Sequence, residues 1–157
     1  MKKTLTTLLA AAAVTCCMAF PAFAAETKAE YKEEVAPIRA ELQELNDQIK
    51  PLREENKEIS ARFKAIRQEK KETGNLSIDK ENWKQAKALR KEIRELTGES
   101  DKGKVKTLRA QAKAAVQEGS YDTALECMNQ VLEVKKARLE CLQEINAIWD
   151  QIDALLK

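Results

Sequence analysis

The stretch "APIRAELQELNDQI" at residues 36–49 is followed at once by "KPLREENKEISARF" at residues 50–63. Both units open x-Pro-(Ile/Leu)-Arg-x-Glu. Everything around the two prolines favours helix, although proline is the poorest residue for a helix interior. The apolar positions explain the repeat. Tyr31, Val35, Ile38, Leu42, Leu45, Ile49, Leu52, Asn56, Ile59, Phe63 and Ile66 follow one another by alternating steps of four and three. That is the heptad of a coiled coil. Val35, Leu42, Ile49, Asn56 and Phe63 take the a positions, and the others take d. Pro37 and Pro51 then both fall at c, on the outer face, and a two-heptad repeat keeps the register. Pro37 is tolerated if it stands near the first turn. Pro51 lies inside and is expected to bend or interrupt the helix, making the seam side concave. An ordinary helix start with one tolerated kink, and a curvature that serves function, both remain open.

Working outward, "TGN" at 73–75 ends this helix with a left-handed cap. Ser77 or Asp79 caps a second helix over about 79–97, with Ala86, Leu89, Ile93 and Leu96 in line and Trp83 beside them. "TGESDKGK" at 97–104 is a polar turn. A third, alanine-rich helix is expected over about 102–118, with Val105, Leu108, Ala112 and Ala115 on one side. After Gly119-Ser120 a last helix runs over about 121–156. One of its stripes contains Leu125, Met128, Leu132, Leu139, Leu142, Trp149 and Leu156. The adjacent stripe contains Cys127, Val131, Val134, Cys141, Ile145, Ile148, Ile152 and Leu155. A face that broad must touch two neighbours. The two middle helices together nearly match the long ones in length. The fold class expected is all-α: an elongated, mostly antiparallel helical bundle with coiled-coil segments, formed by residues 25–157 as one domain.

Residues 1–24 read as a secretory signal peptide. Lys2 and Lys3 precede an apolar run from Leu5 to Phe20, and Ala22-Phe23-Ala24 offers a small-x-small cleavage site. The mature chain would begin at Ala25, in the periplasm or the extracellular cell envelope. A lipoprotein reading would need Cys16 or Cys17 as the acylated residue, and Val14-Thr15 is a poor lead into it. No later segment is apolar for long enough to span a bilayer, so no transmembrane anchor is expected after cleavage. The two lysines account for the whole formal charge of +2. The remainder is neutral, with a basic centre over 80–113 between acidic flanks. Antiparallel folding can satisfy that centre internally, or it can present a field to an anionic partner.

Catalysis is not expected. There is no histidine, and hence neither the usual general base nor the usual metal ligand. No phosphate-cradling glycine loop or nucleophile elbow occurs. Pairs such as Glu33-Glu34 and Glu54-Glu55 read as solvated surface. No cofactor and no metal is expected. Cys127 and Cys141 stand on one helix about 21 Å apart, too far to pair with each other. They read as buried thiols, with an intermolecular disulfide as the rival in an oxidising compartment. Asn56, polar in mid-seam, is a candidate for fixing register or oligomer state by pairing with its copy, or else a solvent-reachable position near the Pro51 bend. Glu34, Glu41, Glu55 and Glu69 at g, with Lys32, Arg39, Arg53 and Arg67 at e, suit parallel self-association and penalise an antiparallel homodimer, though the same pattern occurs on monomer surfaces. Lys80, Lys84, Lys87, Lys91 and Arg94 form a basic line on the second helix, and Lys102, Lys106, Arg109 and Lys113 continue it. The line reads as a solvated face or as a face for an anionic envelope component. Nucleic acid is not an expected partner of an exported, neutral chain.

"GSYDTAL" at 119–125 resembles the turn and second-helix start of a tetratricopeptide repeat, through Gly119, Tyr121, Ala124 and Leu125. A single copy cannot bury a repeat core, so it reads as a helix-hairpin turn. As a small, charged, histidine-free helical chain with a leader, the sequence resembles the Spy/CpxP class of periplasmic proteins. The nearest string to that family's Leu-Thr-x-x-Gln marker is Leu96-Thr97-Gly98-Glu99-Ser100, which lacks the final Gln. The likeness is one of architecture and carries no binding residues. It implies a concave helical face that holds unfolded clients or a stress-sensor domain. Two functions follow: a structural or protein-interaction module of the envelope, with a protein partner or a second copy of itself, or a chaperone-like binder.

Overall fold

The computed structural model describes residues 25–98 and 103–157. Residues 1–24, on which the signal-peptide reading and Cys16 and Cys17 fall, residues 99–102 of the polar turn, and the last two residues of the marker-like string lie outside the described residues. Four helices follow in order: α1 (Lys28–Thr73), α2 (Lys80–Gly98), α3 (Lys104–Glu118) and α4 (Tyr121–Leu155). The fold is an all-α bundle, and the helix ends carry local signals. Thr27 caps α1 in a capping box: its side chain accepts from the Glu30 N–H, and the Glu30 carboxylate accepts from the Thr27 N–H. Gly74 closes α1 at φ 74° and donates to the Lys70 carbonyl, a conformation that costs a Cβ-bearing residue more. Asp79 caps α2 by accepting from Glu81 and Asn82 N–H, whereas Ser77 donates to Glu69 instead. Gly119 turns at φ 78° between α3 and α4, as the hairpin reading requires.

α1 runs unbroken from Lys28 through both prolines, which lie on its exposed side. Pro37 therefore stands well inside the helix and not at its first turn. The reading with an ordinary helix start at Pro37 does not hold, because the capping box at Thr27 begins the helix before the first heptad residue. Every a position of the heptad is buried: Val35, Leu42, Ile49, Asn56 and Phe63. The d positions are buried or half-buried.

Three arms make the bundle. α1 goes up, α2 and α3 return in succession, and α4 goes up again. Sequence-adjacent arms are thus antiparallel, and the two longest helices lie parallel. Three contacts record this alignment: Tyr31 beside Tyr121 at 5.9 Å between ring centroids, Glu41 paired with Lys136, and Arg62 paired with Asp153. The acidic g residue Glu41 finds its parallel neighbour in α4 of the same chain.

The core follows the arms in three stations. At the near end Tyr31, Val35, Ala115, Ala124 and Leu125 pack together with Ala25. In the middle Leu42, Leu45 and Ile49 meet Leu108 of α3 and Val131, Leu132, Val134 and Leu139 of α4. At the far end Ile59 and Phe63 meet Trp83, Ala86 and Ile93 of α2 and Ile145, Trp149 and Ile152 of α4. α4 uses one side of its broad face for α1 and the other for α2 and α3.

Candidate functional site

Where α1, α2 and α4 converge below the interruption of the return arm, the side of the bundle opens into a groove of about 280 Å³. Its cations are Arg53 and Lys57 of α1 and Arg90 of α2. Asn56, Ser60 and Thr97 add neutral polar groups, and Ile93, Leu142, Ile145 and Trp149 form an apolar floor. No acidic residue lines it. The groove arises because two seam positions are polar. Asn56 occupies an a position of α1. Arg90 lies seven residues after Trp83 and three before Ile93, on the inward side of α2.

Both groups are costly as they stand. Asn56 is 8% exposed, and its side-chain oxygen and nitrogen are buried with no hydrogen-bond partner. Arg90 lays its guanidinium 5.1 Å from the centroid of the Trp149 ring, a cation–π contact. Its Nη1 is likewise buried and unpartnered, and no ion pair to Arg53, Lys57 or Arg90 occurs among the described residues. A buried polar group without a partner costs about 1–3 kcal/mol. Burial, and secondarily Arg94, pushes the Arg90 guanidinium below its ordinary value.

The positive field extends beyond the groove. Burial, then Arg138, Arg109 and Arg53, push the Lys135 ammonium down. Its Nζ donates to Asn46 Oδ1 at 2.6 Å. Cations from α1, α3 and α4 thus crowd the waist of the bundle.

No family model matches this chain, and no curated protein or solved structure shows significant similarity to it. The likeness to the Spy/CpxP class rests on the features of the sequence alone.

The structure distributes the residues singled out from the sequence unevenly. Lys80, Lys84, Lys87, Lys91 and Arg94 are all exposed. Lys84 and Lys91 meet Glu81 and Glu95 of their own helix at 3.8 and 3.4 Å, contacts of little energetic weight at such exposure. Pro37 and Pro51 are exposed and form no part of the groove. Cys127 is buried and Cys141 half-buried, and both are free thiols. Burial, then Glu144, pushes the Cys141 thiol up, which lowers its thiolate fraction and its reactivity. Asn56 is buried at 8% exposure and lines the groove between α1, α2 and α4 of its own chain. Arg90 was missed. It hides among the lysines of α2, but the series Trp83, Ala86, Arg90, Ile93, Thr97 alternates steps of three and four and marks it as a seam residue.

Among the described residues no group of three or more Cys, Asp or Glu is placed to hold a metal ion, and no helix is long and apolar enough to cross a membrane.

Proposed function

We propose that this chain is an exported, non-enzymatic helical protein that acts in the cell envelope as an interaction module. The observation that carries the reading is the division of its faces. The heptad of α1 and both stripes of α4 are filled by helices of the same chain, so partners meet the outer, charged surfaces. The exposed line of Lys80, Lys84, Lys87, Lys91 and Arg94 is the face for an anionic protein or envelope component. Reversing Lys84, Lys87 and Lys91 to Glu should abolish capture of a defined anionic envelope component at low salt. The difference from wild type should shrink as salt rises, because exposed charges are screened within about 10 Å at 0.1 M. Equal capture by both proteins at low salt would reject this face.

A chaperone-like binder would need its concave apolar face elsewhere than on the seam of α1, where Val35, Leu42, Ile49, Ile59 and Phe63 are buried.

Export draws support from the near end. The Ala25 backbone N–H donates to Asp122 Oδ1 at 2.6 Å, and Ala25 itself is buried. Cleavage between Ala24 and Ala25 would leave an α-ammonium facing that carboxylate, making the bond charge-assisted on both sides. Mass spectrometry of the native protein should find its N-terminus at Ala25. The Asp122→Asn variant should lower the melting temperature of the cleaved protein more than that of the uncleaved one. A full-length native product, or an acylated Cys16 or Cys17, would overturn the export reading.

A further inference from the structure

The waist groove combines features that no single structural role uses together. A polar pair placed in a seam to set register would normally satisfy itself, yet both polar atoms of the Asn56 side chain and one nitrogen of Arg90 are unpartnered. A purely electrostatic surface would have no use for an enclosed indole face, yet Trp149 is 4% exposed and its ring carries Arg90. An inorganic anion would leave the apolar floor uncovered. A neutral hydrophobe would desolvate Arg90 and give it nothing in return. The groove's volume falls near the lower end of small-molecule sites, which run from about 300 to 1,000 Å³.

We propose that this groove binds a small organic anion carrying an apolar body. The charged head lies between Lys57 and Arg90 and takes a hydrogen bond from the Asn56 amide. The body lies on Leu142 and Trp149. A planar carboxylate matches the guanidinium fork, and a phosphate or sulfonate head shares the same chemistry. The site does not depend on the basic line of α2 or on where the protein resides. Its failure and the failure of the proposed function are therefore separate results.

The test uses the purified protein with decanoate below its micelle-forming concentration, followed by calorimetry and by indole fluorescence in a Trp83→Phe background. Acetate supplies the head alone and decanol the body alone, and decyl phosphate tests the alternative head. Decanoate should saturate a single site and shift the Trp149 emission, with affinity falling as salt rises. Acetate, which lacks the apolar body, should bind at least about tenfold more weakly; decanol should do likewise, since a charge-assisted hydrogen bond of roughly 1.5–3 kcal/mol corresponds to tenfold or more. Arg90→Gln and Asn56→Leu should weaken decanoate by a similar factor while circular dichroism keeps the helical signal. Lys84→Glu, outside the groove, should change affinity by less than about twofold. Should Arg90→Gln fail to fold, Lys57→Gln on the exposed rim tests the same contact. Decyl phosphate binding as tightly as decanoate supports the site with a broader head preference. Non-saturating uptake, equal binding of decanol, or unchanged affinity in the groove variants would overturn the proposal and leave Asn56 and Arg90 as seam residues.

Discussion

The near and far halves of the bundle solve the same packing problem with opposite materials. Both must cover the parallel pair α1 and α4 with a returning helix. In the near half that helix is α3, and the contact is made by small side chains: Ala112, Ala115 and, on α4, Ala124, which is fully buried. In the far half it is α2, and the contact is aromatic. Phe63 stacks on Trp83 at 4.8 Å and meets Trp149 edge-on at 6.5 Å. α3, although shorter, touches α4 more extensively than α2 does. Small residues let helix backbones approach, whereas rings hold axes apart and bury more area per residue. Rings also tile less evenly, and the groove lies where the aromatic layer gives way to Arg90 and Asn56.

Four substitutions can break or sharpen this contrast. Trp149→Ala removes one of the two indole rings of the far half and should cost about 3–5 kcal/mol in urea denaturation. A loss under 1 kcal/mol would mean the aromatic layer is not what holds α2. Pro51→Ala, between the halves on the exposed side of α1, restores a backbone donor and should stabilise by up to about 3 kcal/mol. If it also weakens partner capture, the shape set by the proline serves binding. Ala124→Leu inserts bulk where the near half is tightest and should cost about 1–3 kcal/mol. A stabilised variant would show that α3 has slack against α4.

The smallest effect concerns charge. Lys136 pairs with Glu41 across the helices at 2.8 Å and with Glu133 at 3.5 Å. The hydrogen bond to Glu41 raises its ammonium above the ordinary value, although burial opposes this. A raised folded value means the pair's contribution is fully present below the unfolded lysine value of about 10.4 and is lost as pH rises through the folded one. Lys136→Met should therefore lower stability by about 0.2–1 kcal/mol at neutral pH. The gap from wild type should close above that range. A gap that persists at high pH would assign the effect to packing of the lysine stem.

The seam of α1 was legible residue by residue, because a heptad reports burial without reference to what covers it. The boundaries of α2, α3 and α4 were legible within a residue or two through Asp79, Gly119 and the stripe lengths. The two stripes of α4 announced two neighbours. What they could not announce is which neighbour stands where along the helix, since any apolar layer can face any other. That left the environment of Asn56 open: its place in one groove with Arg90 and Trp149 depends on the register between arms. The groove was illegible for the same reason. Its members come from three helices, and its central cation sits in a run of lysines whose charge pattern obscured the inward side. The start of α1 was legible in Thr27 and Glu30, which read as a capping box once the helix is followed back past its heptad.

The up–down–up path places Ala25 at one end of the bundle and Leu155 at the other, separated by roughly the 50 Å length of α4. Tension applied between these residues would draw α1 and α4 in opposite directions along their own axes. The three core stations would then be loaded in shear and together, instead of being peeled open one after another. Forced unfolding of a chain so arranged is governed by its unfolding rate rather than by its equilibrium stability.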